Sequence, residues 1–310
     1  MLNCNVRDPG QAKMSAAQLH SFYLSFNQMT SAETQEIDSI FKCTVSESDY
    51  AVMHRFNISI SLRDFQRLND GSWLNDEIVN FYMQLLSEDC SRYGDFYFAN
   101  TFFYTRLRDS KGSFCYDNVK AWMKDTNIFE MKKLLFPMHI NGNHWALSVV
   151  DIEFKKILYI DSLPKDSTFL DVEVLNMWLS CEYNKHHDSP FELFQKINYS
   201  CPRQTNGLDC GVFMLTFAHL IYLGTDLNIM HQQVVPFMRR KIALSILRGK
   251  LQVLLSRDIL VLFNVFKRMV QQIFVKVKSL IKKIFQQTVI KEVCLRGNFS
   301  TTGQRCRQQR

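Results

Sequence analysis

A chain of 310 residues with 46% hydrophobic and 22% charged side chains has the make-up of an ordinary soluble globular protein, with enough apolar content for one large core or two small ones. Its first residues lack a basic stretch leading into an apolar run, and no segment reaches roughly eighteen uninterrupted apolar residues, so secretion and membrane spanning are not expected. The net charge of +7 is unevenly placed: residues 250–310 hold 13 basic and two acidic side chains, and the rest of the chain is net acidic.

Residues 1–50 are polar without sustained apolar periodicity and suggest a weakly ordered leader of short helical pieces. Ile58–Leu62 alternates as a strand, Asp64–Leu68 suggests a helical turn, and Gly71-Ser72 breaks the pattern. Asn75 or Asp76 can cap the amphipathic helix that follows, with Ile78, Val79, Tyr82, Met83, Leu85 and Leu86 at helical spacing. Phe96–Tyr104 is aromatic and strand-like, and Asn118–Asp125 looks helical. Leu134–Ile140, Ala146–Val150 and Ile157–Ile160 are β-branched or aliphatic runs between turn residues and predict consecutive strands. Val172–Cys181 suggests a helix and Phe191–Ile197 a strand, while Gly211–Tyr222 predicts a helix without a charged residue, hence buried on every side. Helices precede the sheet and alternate with strands irregularly, which fits an α+β fold.

Nine cysteines, an odd number without the paired short spacings of a zinc site, fit a reduced intracellular compartment. Cys210 alone has neighbours that suggest chemistry. It opens the charge-free helix, where unpaired amides and the positive dipole end favour a thiolate, and Gly207 and Gly211 flank it, leaving room for substrate backbone beside the sulfur. Its base must come from elsewhere in the chain. His144 begins an apolar strand after Asn141-Gly-Asn; of the other seven histidines, His186 and His187 lie in a polar loop and His219 inside the apolar helix. Asp161 ends the next strand. Whether the intervening loop is Asp151–Phe154, which sets the two directly opposite, or runs to Lys156, which makes them diagonal neighbours, His144 and Asp161 share one face of the hairpin. A carboxylate so placed fixes the imidazole tautomer and stabilises the imidazolium. Gln204 supplies an amide donor for an oxyanion beside the backbone N–H of Cys210.

These residues lie in segments that resemble the Ulp1/SENP family of SUMO-specific cysteine proteases, of clan CE: Gly71–Tyr82 (GSWLNDEIVNFY), Asn100–Leu107 (NTFFYTRL), Asn143–Asp151 (NHWALSVVD), Tyr159-Ile-Asp-Ser162, Gln204–Gly211 (QTNGLDCG) and Arg239–Leu247 (RRKIALSIL). The order His-Trp, Tyr-x-Asp-Ser, Gln-x5-Cys-Gly is the specific part. The resemblance implies a papain-like fold of the Ulp1/adenain type, a central mixed sheet flanked by helices, over residues 55–251. It implies a triad of His144, Asp161 and Cys210 with Gln204 in the oxyanion hole, no cofactor and no metal. Trp73 and Trp145 would enclose a narrow tunnel for the Gly-Gly end of a SUMO-type modifier, with Asp76 and Phe103 near the modifier-binding surface. The same resemblance implies nuclear or nuclear-envelope residence, with the cytoplasm as the alternative, and precursor maturation, deconjugation or both as the reaction. A deneddylase or other clan CE protease, and an inactive modifier-binding module, remain the competing readings. Residues 252–310 depart from the family. They form a basic amphipathic stripe able to dock on the catalytic domain, lie on an anionic membrane surface or bind nucleic acid.

Overall fold

The computed structural model describes residues 29–44, 50–91, 95–124, 126–163 and 170–252. Along them run α1 (Ser31–Lys42), β1 (Ala51–Arg55), β2 (Ile58–Ser61), α2 (Leu62–Gln66), α3 (Asp76–Cys90), β3 (Phe96–Phe98), α4 (Thr101–Arg106), β4 (Lys133–Ile140), β5 (His144–Asp151), β6 (Lys156–Ile160), α5 (Leu170–Tyr183), β7 (Gln195–Asn198), α6 (Cys210–Tyr222) and α7 (Val235–Arg248). No helix among the described residues is long and apolar enough to cross a membrane.

Strands β3 to β7 form one sheet in chain order. Its outer pairs are parallel and its inner pairs antiparallel, giving the mixed sheet of an α+β fold. β5 is central and every residue in it is buried. Trp145, Leu147 and Val149 face a core shared with α3 and α6, whereas Ala146 and Val150 face a second core shared with α4 and α5. Burial of both faces explains why this strand is nearly continuously apolar in sequence.

The turn from β4 to β5 is three residues long, Asn141 to Asn143, with Ile140 paired to His144. Asn141 (φ 52°) and Gly142 (φ 72°) both take the left-handed conformation that Asn and Gly tolerate best, so the turn delivers His144 as the first residue of β5. From β5 to β6 the register pairs Asp151 with Lys156 and Leu147 with Ile160, which is the longer-loop alternative. Asp161 therefore lies diagonal to His144 on the same face.

Several expectations change. Only Phe96–Phe98 of the aromatic run is a strand; Asn100 then caps α4, its Oδ1 accepting from the amides of Phe102 (2.9 Å) and Phe103 (3.1 Å). Asn118 closes a 3₁₀ turn and residues 119–124 are turns, while in the Phe191–Ile197 run only Gln195–Ile197 pair, the strand continuing to Asn198. The polar leader contains α1, which starts in a Thr30/Glu33 capping box and buries Ile37 in the main core. Two ion pairs fix α1 to α7: Arg248 grips Glu36 at 2.6 and 2.8 Å, and Arg240 meets Asp38 at 2.6 Å. The basic amphipathic helix expected over 252–310 lies, beyond Gln252, outside the described residues.

Candidate active site

Helix α6 packs on the sheet with its first residue, Cys210, only 2% exposed. No side chain caps this helix, so its first-turn amides keep no intrahelical acceptor and are available to negative charge. Gly211 is needed there for packing. A Cβ on it would stand 3.0 Å from Leu74 Cβ and 3.2 Å from Trp145 Cδ1, so the space beside it belongs to those residues, not to substrate as the sequence suggested. Gly207, by contrast, has open space beside it.

His144 Nε2 donates to Asp161 Oδ1 at 2.8 Å. An ionised carboxylate only accepts, so Nε2 carries the hydrogen and Nδ1 is the atom left for chemistry. Nδ1 is buried without a hydrogen-bond partner, and Cys210 is close enough to act on the ring's charge. Burial disfavours the imidazolium, but the hydrogen bond to Asp161 and the interaction with Cys210 outweigh it and push His144 up to about 9. The ring is therefore biased towards its protonated form.

Asp161 is itself held at both oxygens. Oδ1 also accepts from the amide of Leu163 (2.8 Å) and Oδ2 from the hydroxyl of Tyr159 (2.8 Å). Its carbonyl accepts from Arg203 Nη1 (3.0 Å) and from the thiol of Cys201 (3.1 Å). Burial pushes Cys201 up to about 11, so this second thiol near the site stays neutral.

Gln204 is buried, its Oε1 accepting from Ser162 Oγ (2.6 Å) and its Nε2 donating to Asn206 O (2.5 Å). The Gln204 amide also donates to Ser162 O at 3.0 Å. Nε2 carries two hydrogens, so one remains for an oxyanion. Tyr159 and Ser162 thus flank Asp161 in sequence and brace both halves of the site. Both sit in the quoted Tyr159-Ile-Asp-Ser162 motif, yet neither role is visible without the partner's position.

Trp73 is 48% exposed, with its indole N–H bonded at 2.8 Å to the carbonyl of Gly207, three residues before Cys210. Trp145 is buried, donates to Leu74 O (2.9 Å) and stacks on His139, ring centroids 4.3 Å apart. Burial lowers the pKa of His139, with Asp76 opposing and His144 adding to the shift, which favours a neutral ring on the tryptophan. Asp76 is half-buried in the first turn of α3, where the cap is Asn75. Phe103 does not reach the surface: it is fully buried against Phe136, Trp178 and Trp122, and cannot touch a partner. Its neighbour Phe102 is 50% exposed. Two adjacent phenylalanines cannot be assigned inward and outward until the Asn100 cap sets the helix phase.

Residues 72–251 match the model of the Ulp1 protease family, C-terminal catalytic domain. The chain belongs to the Ulp1 protease family. It is 34% identical over 179 residues to ubiquitin-like-specific protease 1 of Saccharomyces cerevisiae, covering 57% of this chain and 28% of that protein. It is 32% identical over 210 residues to human sentrin-specific protease 2, covering 66% of this chain and 34% of that protein. The chain therefore spans about a third or less of the length of these relatives. Among solved structures, the C-terminal Ulp1 protease domain in complex with Smt3, the yeast ortholog of SUMO, superposes with a TM-score of 0.63 at 30% identity, covering 72% of this chain and 97% of that one.

Proposed function

We propose that this chain is a cysteine protease that cleaves after the C-terminal Gly-Gly of a SUMO-type modifier, in deconjugation, precursor maturation or both. The observation that carries the reading is the His144–Asp161 hydrogen bond beside a cysteine at an uncapped helix start. The likeness to a protease domain solved with a SUMO ortholog supplies the substrate class.

Cys210 thiolate adds to the terminal glycine carbonyl, and the developing oxyanion accepts from the free Nε2–H of Gln204 and from the amide of Cys210. The C–N bond breaks as His144 gives its Nδ1 proton to the leaving amine, which is a lysine side chain or a peptide N-terminus. A thioester remains. Neutral His144 then takes a proton from water, which attacks the thioester and releases the modifier and the thiolate. Trp73, tied to Gly207, and Trp145, packed on Gly211, would form the walls of a passage that glycine backbone fits. Asp76 and the exposed Phe102, in place of Phe103, would contact the body of the modifier. The family supports a nuclear or nuclear-envelope setting, and the basic segment beyond Gln252 would serve docking or attachment to an anionic surface.

The test offers C-terminal electrophile probes of SUMO, of a NEDD-type modifier and of ubiquitin to wild type and Cys210→Ser. Wild type should label with the SUMO probe and Cys210→Ser with none. Labelling by no probe would sink the protease reading, and labelling by the NEDD-type probe alone would overturn the substrate class.

A further inference from the structure

We propose that Arg239 is a positioning residue for catalysis, holding the Asp209 carboxylate away from the start of α6 so that the first-turn amides and Cys210 are left to the substrate. The inference rests on the protease reading and adds a residue to its machinery.

Arg239 lies on α7 and is 1% exposed. All five of its N–H groups are used. Nε and Nη2 donate to Asp209 Oδ1 at 3.2 and 2.6 Å; Nη2 also donates to Ser72 O (2.8 Å), and Nη1 to the carbonyls of Arg67 (3.0 Å) and Asn69 (3.1 Å). Two segments far apart in sequence are thereby fixed to one planar group. One ends in Trp73 and the other in Cys210. A lysine has three donors around a point and cannot reproduce this pattern.

Asp209 occupies the N-cap position of α6, where an Asp side chain ordinarily accepts from the second or third amide of its helix. Here it makes no such bond. Its Oδ1 goes to Arg239, and its Oδ2 accepts from Asn206 Nδ2 and Gln232 Nε2, both at 2.7 Å. Gln232 Oε1 in turn accepts from the Thr205 amide (2.8 Å), and Asn206 O holds Gln204. The network runs from Arg239 through Asp209 to the oxyanion donor itself. Burial works against ionised Asp209, but Arg239, Asn206 and Gln232 outweigh it and hold the carboxyl below its ordinary range.

A buried ion pair is a weak device for stability alone, because well-packed apolar residues often do as well. Its use here is geometric. Released from Arg239, the Asp209 carboxylate would turn back to cap α6, occupy amides that an oxyanion needs and set a negative charge beside the nucleophile. That charge would oppose the thiolate.

The experiment compares wild type, Arg239→Lys, Arg239→Met and Arg239→Met/Asp209→Leu on a SUMO C-terminal fluorogenic substrate, at a temperature where each is folded by circular dichroism. Arg239→Met should lose about 10²-fold in kcat with little change in KM, as for loss of an oxyanion donor. The acid limb of its pH profile should move up by about one unit, as for a new like charge beside an acid. The double variant, lacking the freed carboxylate, should return the acid limb to its wild-type position. Arg239→Lys should fall between and carries the test if the methionine variant does not fold. Wild-type kcat and an unmoved acid limb in the arginine variants would overturn the inference while leaving the protease reading intact. If wild type cleaves nothing, the protease reading fails first, and the rate of Cys210 alkylation by iodoacetamide across pH reports the same shift without a substrate.

Discussion

The two halves of the site are built by different means. His144 and Asp161 sit on β5 and at the end of β6, where strand register alone brings them onto one face. Gln204 and Cys210 sit at the two ends of an irregular segment with no ladder to align it, and side chains from remote parts of the chain fix it: Ser162 at Gln204, Gln232 at Thr205, Arg239 at Asp209. The proposed base and its carboxylate partner therefore come from backbone pairing, and the proposed nucleophile and oxyanion donor from a side-chain network. The first half should tolerate conservative change around it; the second should be sensitive to distant residues.

The largest test strikes the ladder half. Asp161→Asn should lower kcat by about 10³ to 10⁴-fold by setting the wrong tautomer, without unfolding the hairpin. It should also change the pH dependence of stability. The pKa of His144 rises from an ordinary 6.5 to about 9 on folding, so its stabilising contribution is fully present below about 6.5 and is lost as pH rises towards 9. Chemical denaturation at pH 6, 7.5 and 9 should show this decline in wild type and a weaker one in Asp161→Asn. An unchanged decline would mean that Asp161 is not what holds the proton.

Next comes the network half. Gln204→Ala should lower kcat by about 10² to 10³-fold at nearly constant KM, the signature of a donor used only in the transition state. Ser162→Ala, which frees the Gln204 amide to rotate, should show a smaller loss of the same kind; a rise in KM instead would place Ser162 in ground-state binding. The smallest effect falls on the ladder again. Tyr159→Phe leaves Asp161 Oδ2 without its hydroxyl donor and should destabilise the fold by about 1–3 kcal/mol with under tenfold change in kcat.

This contrast also sets how far the sequence could be read. β4, β5 and β6 were legible because a sheet buried on both faces demands continuous apolar runs, and α3 and α6 because their apolar patterns are long. The shared face of His144 and Asp161 followed from either hairpin register. α4 was hidden in an aromatic run, since the choice between strand and helix depended on one Asn100 cap. α7 carries no apolar pattern as plain as that of α6, and its buried Arg239 gives no local sign of its partners 30 and about 170 residues away. The burial of Phe103 is hidden for the same reason, since helix phase decides which of the two phenylalanines faces inward. The sequence suggests that Gly211 makes room for substrate, but the space beside it is filled by Leu74 and Trp145, which only packing reveals.

The near-complete burial of Cys210 carries a consequence for selectivity among reagents. Six thiols lie among the described residues, and Cys43 is exposed, whereas Cys210 shows almost none of its surface. Among the described thiols, Cys43 is the one that bulky disulfides and maleimides should meet first. A slender electrophile on an extended glycine-like stem should reach this buried thiol where a wider one does not, so an inhibitor's width matters as much as its warhead.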